Sequence, residues 1–251
     1  MHLRDRFFGF WKNAGFAGRL ISLLLVLLLL PDPCLAEGKT AYNNPEAPPP
    51  LAPEHEASGD DYFADAVFIG DSMMDDIEML DLFPTANFVC QVGIMPSNLI
   101  YHQFRVIGSE DRLTAFEATE RYPHKKIYIL LGSNSLDHRP YETCTQEYVE
   151  MIDQFIDLFP DSYIYVIAPP PGGEETMIEM SMPPQRYLNF RNYLLSLAEE
   201  KHLYFVDFYS LLINEDGYMH WKYVCPDGQH PHRGGYELLE EEIRTHTVDY
   251  Q

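Results

Sequence analysis

The sequence predicts an α/β fold, a three-layer α/β/α sandwich around a mostly parallel five-stranded sheet. Three observations predict it. Five short runs are continuously apolar instead of alternating, as strands buried on both faces are. The stretches between them carry apolar residues at i, i+3 and i+4, the spacing of one helix face. Strand and helix alternate along the chain, which implies crossover connections and hence parallel strands.

The five runs are residues 66–70 (AVFIG), 87–92 (NFVCQV), 127–131 (IYILL), 163–168 (YIYVIA) and 203–206 (LYFV), all rich in β-branched and aromatic residues. Helical spacing marks Tyr148, Met151, Ile152, Phe155, Ile156 and Phe159, then Tyr187, Phe190, Leu194 and Leu197, then Tyr236, Leu239 and Ile243. No internal repeat is present. A chain of 251 residues, 46% of them hydrophobic, buries one substantial core.

The N-terminal part precedes this domain. In residues 1–36, Arg4, Arg6, Lys12 and Arg19 lead into the apolar run 20–30, followed by Pro31 and the small-residue site Cys34-Leu35-Ala36. That is the layout of an export signal cleaved after Ala36. This run of 11 residues falls short of the roughly 20 that cross a bilayer, so an uncleaved membrane anchor is the second reading. Residues 37–60, with Pro48-Pro49-Pro50 and no apolar periodicity, are expected to form a disordered or extended linker, and the domain to span 61–251. Export implies a secreted or cell-surface location in an oxidising compartment. Three cysteines then remain: Cys90 reads as a buried strand thiol, and Cys144 with Cys225 is the expected disulfide pair.

The formal charge is −22, and removal of residues 1–36, with four basic and two acidic groups, takes it to −24. Such a surface repels phosphate backbones, which excludes nucleic acid as a partner and suits a neutral or cationic glycan or a small ester. The same acidity also serves simple solubility.

Ligands of parallel sheets bind beyond the carboxyl ends of the strands, so the residues following each run are where chemistry belongs. Gly70-Asp71-Ser72 follows the first, placing a serine hydroxyl at a strand-to-helix turn with its N–H at a helix N-terminus. Asp71 and Ser72 equally serve as helix caps. Gly93 follows the second run, where a missing Cβ lets the backbone approach a substrate oxygen. Gly132-Ser133-Asn134 follows the third and offers a side-chain amide to an oxyanion, although turn chemistry alone explains Gly and Asn. Near the C-terminus Asp227 stands three residues before His230, between Pro226 and Pro231. A carboxylate so placed accepts from Nδ1 and leaves Nε2 to face a serine. His232 and Asp207 are the alternative base and acid, read here as a loop residue and a helix cap.

The ordered set GDS, a glycine after the second strand, G-x-N and D-x-x-H resembles the four blocks of the SGNH/GDSL hydrolase superfamily, over about residues 61–251. Met73 departs from the Leu of the GDSL signature, and Ser135 replaces an Asp that often follows the asparagine. The resemblance implies a flavodoxin-like sandwich and a serine esterase. Its triad would be Ser72, Asp227 and His230, its oxyanion hole Ser72, Gly93 and Asn134, and it would use no cofactor and no metal. The expected substrate is a short acyl ester, O-acetyl above all, on a cell-envelope or extracellular glycan. Glycan O-acetyl transfer from a membrane acyl carrier and a non-catalytic envelope-binding role are the competing readings. Met177, Met180 and Met182, in the segment 169–184 after the fourth run, are expected to form a mobile apolar cover over the crevice.

Overall fold

The computed structural model describes residues 50–105 and 111–248, all within the compact unit Thr40–Gln251; residues 1–36, expected to be an export signal, and most of the expected linker lie outside the described residues. The element order is β1 (Ala66–Gly70), α1 (Ser72–Met79), β2 (Asn87–Cys90), α2 (Pro96–Leu99), β3 (Phe104–Arg105), β4 (Arg112–Leu113), α3 (Ala115–Arg121), β5 (Lys126–Leu130), α4 (Ser133–His138), α5 (Tyr141–Leu158), β6 (Tyr163–Ile167), α6 (Glu174–Glu179), α7 (Gln185–Lys201), β7 (Tyr204–Val206), α8 (Phe208–Leu212) and α9 (Arg233–Thr245). The five expected strands form one sheet in the order β2-β1-β5-β6-β7, with every pair parallel. A two-residue antiparallel pair, β3 with β4, is an addition the apolar pattern does not announce.

Side chains alternate across this sheet even though the strands are apolar throughout. Val67, Ile69, Ile127, Ile129, Ile164 and Val166 enter the core beneath α5 and α7, together with Tyr148, Phe155, Phe190 and Leu194. The intervening residues enter the core under α1 and α9. On that second face Phe88, Phe68, Tyr128, Tyr165 and Tyr204 are neighbours in the strand register. Their rings stack across the whole sheet at centroid separations of 5.3, 4.6, 4.3 and 4.8 Å. Offset aromatic pairs of this kind add to the area they bury and pin the register.

The chain leaves β1 toward β2 and then crosses to β5 on the other side of β1. The order therefore reverses between β1 and β5, and a crevice opens at their carboxyl ends. Gly70 ends β1 there: a Cβ would stand 2.5 Å from the Leu130 carbonyl oxygen and 2.6 Å from Met74 Cβ. Its absence lets α1 start directly on the sheet edge, which sets the depth of Ser72.

Two expectations are corrected. The linker was expected to run to residue 60, yet its last part is docked on the domain. The Phe205 N–H donates to the Pro50 carbonyl, the His55 N–H to that of Thr245 and the Ser58 N–H to that of Arg244. Proline-rich composition removes regular hydrogen bonding but not the capacity to pair with exposed backbone at a sheet edge and a helix end. The second correction concerns the disulfide: Cys90, Cys144 and Cys225 are all free thiols. Cys144 is buried in α5 on one side of the sheet, whereas Val224, next to Cys225, packs into the core on the other, so the sheet separates the expected pair. Cys90 is half-buried.

Candidate active site

Asp71 caps α1, its carboxylate accepting from the Met73 N–H at 3.1 Å, and Ser72 is the first helical residue. With the cap supplied by its neighbour, the Ser72 hydroxyl is left for another partner. It lies 2.7 Å from Nε2 of His230, whose Nδ1 lies 2.7 Å from Asp227 Oδ2. The other oxygen of Asp227 accepts from the N–H groups of Gln229 (2.9 Å) and His230 (3.0 Å). Burial works against ionisation of Asp227, but these two N–H bonds and the imidazole outweigh it and hold the carboxyl below its ordinary range. An ionised carboxylate only accepts, so Nδ1 carries the imidazole proton and Nε2 offers its lone pair to the serine. The Asp227 side chain is 52% exposed, so the pair is screened and its chief effect is to orient the ring.

The loop holding Asp227 and His230 is closed on itself. The Cys225 N–H donates to the His230 carbonyl at 2.8 Å, and that of Gly228 to the Cys225 carbonyl at 2.9 Å. It is also tied to the segment after β6, since the Gly173 N–H donates to Gly228 at 2.8 Å.

Asn134 opens onto the same crevice, but sequence reasoning missed what holds it. The Asp71 carboxylate, 1% exposed, accepts from Asn134 Nδ2 at 3.0 Å and from Ser133 Oγ at 2.8 Å. Burial raises the Asp71 pKa to about 6, against the four bonding and charge interactions with Ser133, Met73, His230 and Asn134. Ser135, which stands where the resemblance has an Asp, gives Asn134 no support: its Oγ is buried without a partner among the described residues. Asn134 Nδ2 also lies 3.4 Å from the Ile94 carbonyl oxygen, a longer contact. Gly93 adopts φ +75° with nothing within 4 Å of its Cβ position, so its backbone is open to the crevice. Among the described residues the N–H groups of Ser72 and Gly93 donate to no protein acceptor.

These groups line a cavity of about 180 Å³ that also admits Met177, Met180, Asp137 and Tyr187. Tyr187, from the first turn of α7, donates to Asp137 Oδ1 at 2.8 Å, and burial raises the Asp137 pKa against that bond. The Met segment differs from expectation. It contains the short helix α6; Met177 is 2% exposed and forms part of the core, and Met180 meets the Gln229 amide through its sulfur at 3.5 Å. Met182 lines another hollow, beside Tyr141 and Arg186, because the positive φ of Ser181 turns the chain away from the crevice.

The alternative acid and base are engaged elsewhere. Asp207 caps α8 through Ser210 (3.1 Å) and pairs with Arg191. His232 caps α9, Nδ1 accepting from Gly234 at 3.0 Å while Nε2 meets the Lys222 carbonyl. Among the described residues one group, Asp75, Glu78 and Cys90, brings three ligand atoms within 4.8 Å of one another. Burial and the two carboxylates push the Cys90 thiol far up, and it donates to Glu78 at 3.1 Å.

The profile of the GDSL-like Lipase/Acylhydrolase family matches residues 96–238, more than half of the chain. The chain belongs to this family. It is accordingly a serine hydrolase of ester bonds. The matched span contains Asn134, Asp227 and His230, while Ser72 and Gly93 precede it. Solved structures agree in fold. A GDSL-like lipase from Bacteroides thetaiotaomicron superposes with a TM-score of 0.57 at 14% identity, over 70% of this chain and 84% of that one. A protein of Streptococcus pneumonia provisionally described as a platelet activating factor gives 0.56 at 19% identity, over 71% and 81%. The OSK domain of Drosophila Oskar gives 0.51 at 15% identity, over 86% and 98%. No curated protein matches the chain in sequence.

Proposed function

We propose that this acylhydrolase is a secreted or cell-surface esterase that removes short acyl groups, chiefly O-acetyl, from glycans through Ser72, His230 and Asp227. The observation that carries the reading is the unbroken relay from Ser72 Oγ through His230 to Asp227, with 2.7 Å at each step, at the mouth of a cavity of about 180 Å³. Drug-sized ligands occupy roughly 300 Å³ or more, so this space suits an acetyl group and its immediate surroundings. The acidic chain and the export layout of residues 1–36 favour a neutral extracellular substrate.

In the reaction, Ser72 Oγ attacks the ester carbonyl while its proton passes to His230 Nε2. Asp227 stabilises the imidazolium, and the oxyanion takes hydrogen bonds from the N–H groups of Ser72 and Gly93 and from Asn134. The Asn134 amide keeps one proton on Asp71 and exchanges its long contact with Ile94 for the substrate oxygen. His230 then protonates the leaving alcohol, and water, deprotonated by the same imidazole, releases the acid and restores Ser72. Acetate release from acetylated glycans, measured against transfer of the acetyl group to an acceptor glycan, tests the reading. Free acetate in excess is the expected result; acetyl appearing chiefly on the acceptor would replace hydrolysis with transfer, and no reaction on any acetylated glycan would remove the glycan assignment.

Asp71 makes the mechanism sensitive to acid. Above about pH 6 its ionised carboxylate accepts from both Ser133 and Asn134; below it the added proton occupies an acceptor site and loosens the amide. The acid limb of kcat is therefore expected to be less steep in Asp71→Asn than in the wild type, and identical slopes would refute the coupling. The stability sign is opposite. The folded chain binds this proton more tightly than the unfolded chain, so the contribution of Asp71 is fully present below its ordinary 3.8 and is lost as pH rises through about 6.

A further inference from the structure

Asp137 has no part in the proposed relay or oxyanion hole, yet it lines the same cavity. It stands at i+3 from Asn134 on α4, so both side chains share one face of that helix, with Cβ atoms roughly 5–6 Å apart. One carboxylate oxygen is fixed by the Tyr187 hydroxyl at 2.8 Å. The other has no hydrogen-bond partner among the described residues. A half-buried carboxylate oriented by a buried tyrosine and left with an unused acceptor beside the oxyanion amide is arranged to receive a donor from the substrate.

We propose that Asp137 and Tyr187 form a subsite for a hydrogen-bond donor of the substrate, a hydroxyl or an ammonium, carried close to the ester carbonyl. The inference rests on the esterase reading of Ser72 and names what its substrate carries. The separation from Asn134 limits the donor to roughly two to four bonds from the carbonyl carbon. Two sources satisfy that reach: a hydroxyl vicinal to the ester on the alcohol side, as on a partly acetylated sugar, or a hydroxyl or amino group on the acyl side. An anionic substituent at the same place would face Asp137 directly and is rejected.

The test compares kcat/KM for ethyl acetate, which has no donor, with 2-hydroxyethyl acetate (donor on the alcohol), ethyl glycolate (hydroxyl on the acyl group) and glycine ethyl ester (ammonium on the acyl group). Each is measured with wild type, Asp137→Ala and Asp137→Asn. Taking each ester's ratio to ethyl acetate, and then the change of that ratio on mutation, cancels intrinsic reactivity and any general loss of fold. At least one donor-bearing ester is expected to lose about ten- to a hundredfold in this ratio in Asp137→Ala, the scale of a hydrogen bond to a charged group. Asp137→Asn separates the sources of binding, since an amide carbonyl still accepts from a hydroxyl but no longer neutralises an ammonium. Ratios unchanged by Asp137→Ala for all three esters overturn the subsite and leave the esterase reading standing. Failure of the wild type to turn over any of the four esters overturns the esterase reading, and the subsite with it.

Discussion

Ser72→Ala is expected to lower kcat for p-nitrophenyl acetate by on the order of 10⁵ to 10⁶, equivalent to about 7–8 kcal/mol of transition-state stabilisation. The reason lies in the division of labour at the start of α1. Asp71, not Ser72, supplies the cap, and among the described residues the serine hydroxyl bonds only to His230. Alanine removes the atom that forms the acyl-enzyme and keeps the helix, in which it is the better former. The melting temperature should therefore move little, while labelling by a fluorophosphonate disappears. Wild-type turnover in the variant would exclude Ser72 as the nucleophile.

The second large effect is expected at Asn134. Its amide nitrogen is held by the buried Asp71 carboxylate at 3.0 Å and makes a second, longer contact of 3.4 Å to the Ile94 carbonyl. A donor fixed in advance and weakly occupied costs little to redirect to an oxyanion. Asn134→Ala should lower kcat on the order of 10² to 10³, about 2.7–4 kcal/mol. KM should change far less, because the interaction belongs to the transition state. A loss confined to KM would place Asn134 in ground-state binding instead.

Much of the fold was legible because buried parallel strands write themselves as apolar runs. The run 66–70 coincides with β1, and the other four runs differ from their strands by one or two residues at an end. The short pair β3 with β4 was not legible, since two-residue strands leave no periodicity. The helices α5, α7 and α9 begin before the apolar faces that announced them, and α7 and α9 also run on past theirs, since polar residues such as Glu142, Glu199 and Arg244 in the terminal turns add nothing to the apolar pattern. At the site, Ser72 was proposed from its position after the first strand, and Asp227 and His230 from their spacing near the C-terminus; the structure brings the three within hydrogen-bond reach. Asp71, Ser133, Asp137 and Tyr187 were missed. Buried acceptors and donors look in sequence like any cap or turn residue, and only their convergence from β1, β5 and α7 gives them roles.

What the sequence by itself determined is the alternation of strand and helix, the membership of the sheet and the chemistry available at its ends, because these depend on residue type and local spacing. What only the tertiary structure decided is which groups meet. Ser72 and His230 are 158 residues apart and Asp71 and Asn134 are 63 apart, and each pair is brought together where the strand order reverses. The same packing kept Cys144 from Cys225 and turned Met182 away from the crevice. Local composition sets which bonds a side chain is able to make, whereas the sheet, by fixing distance and face, selects the ones it does make.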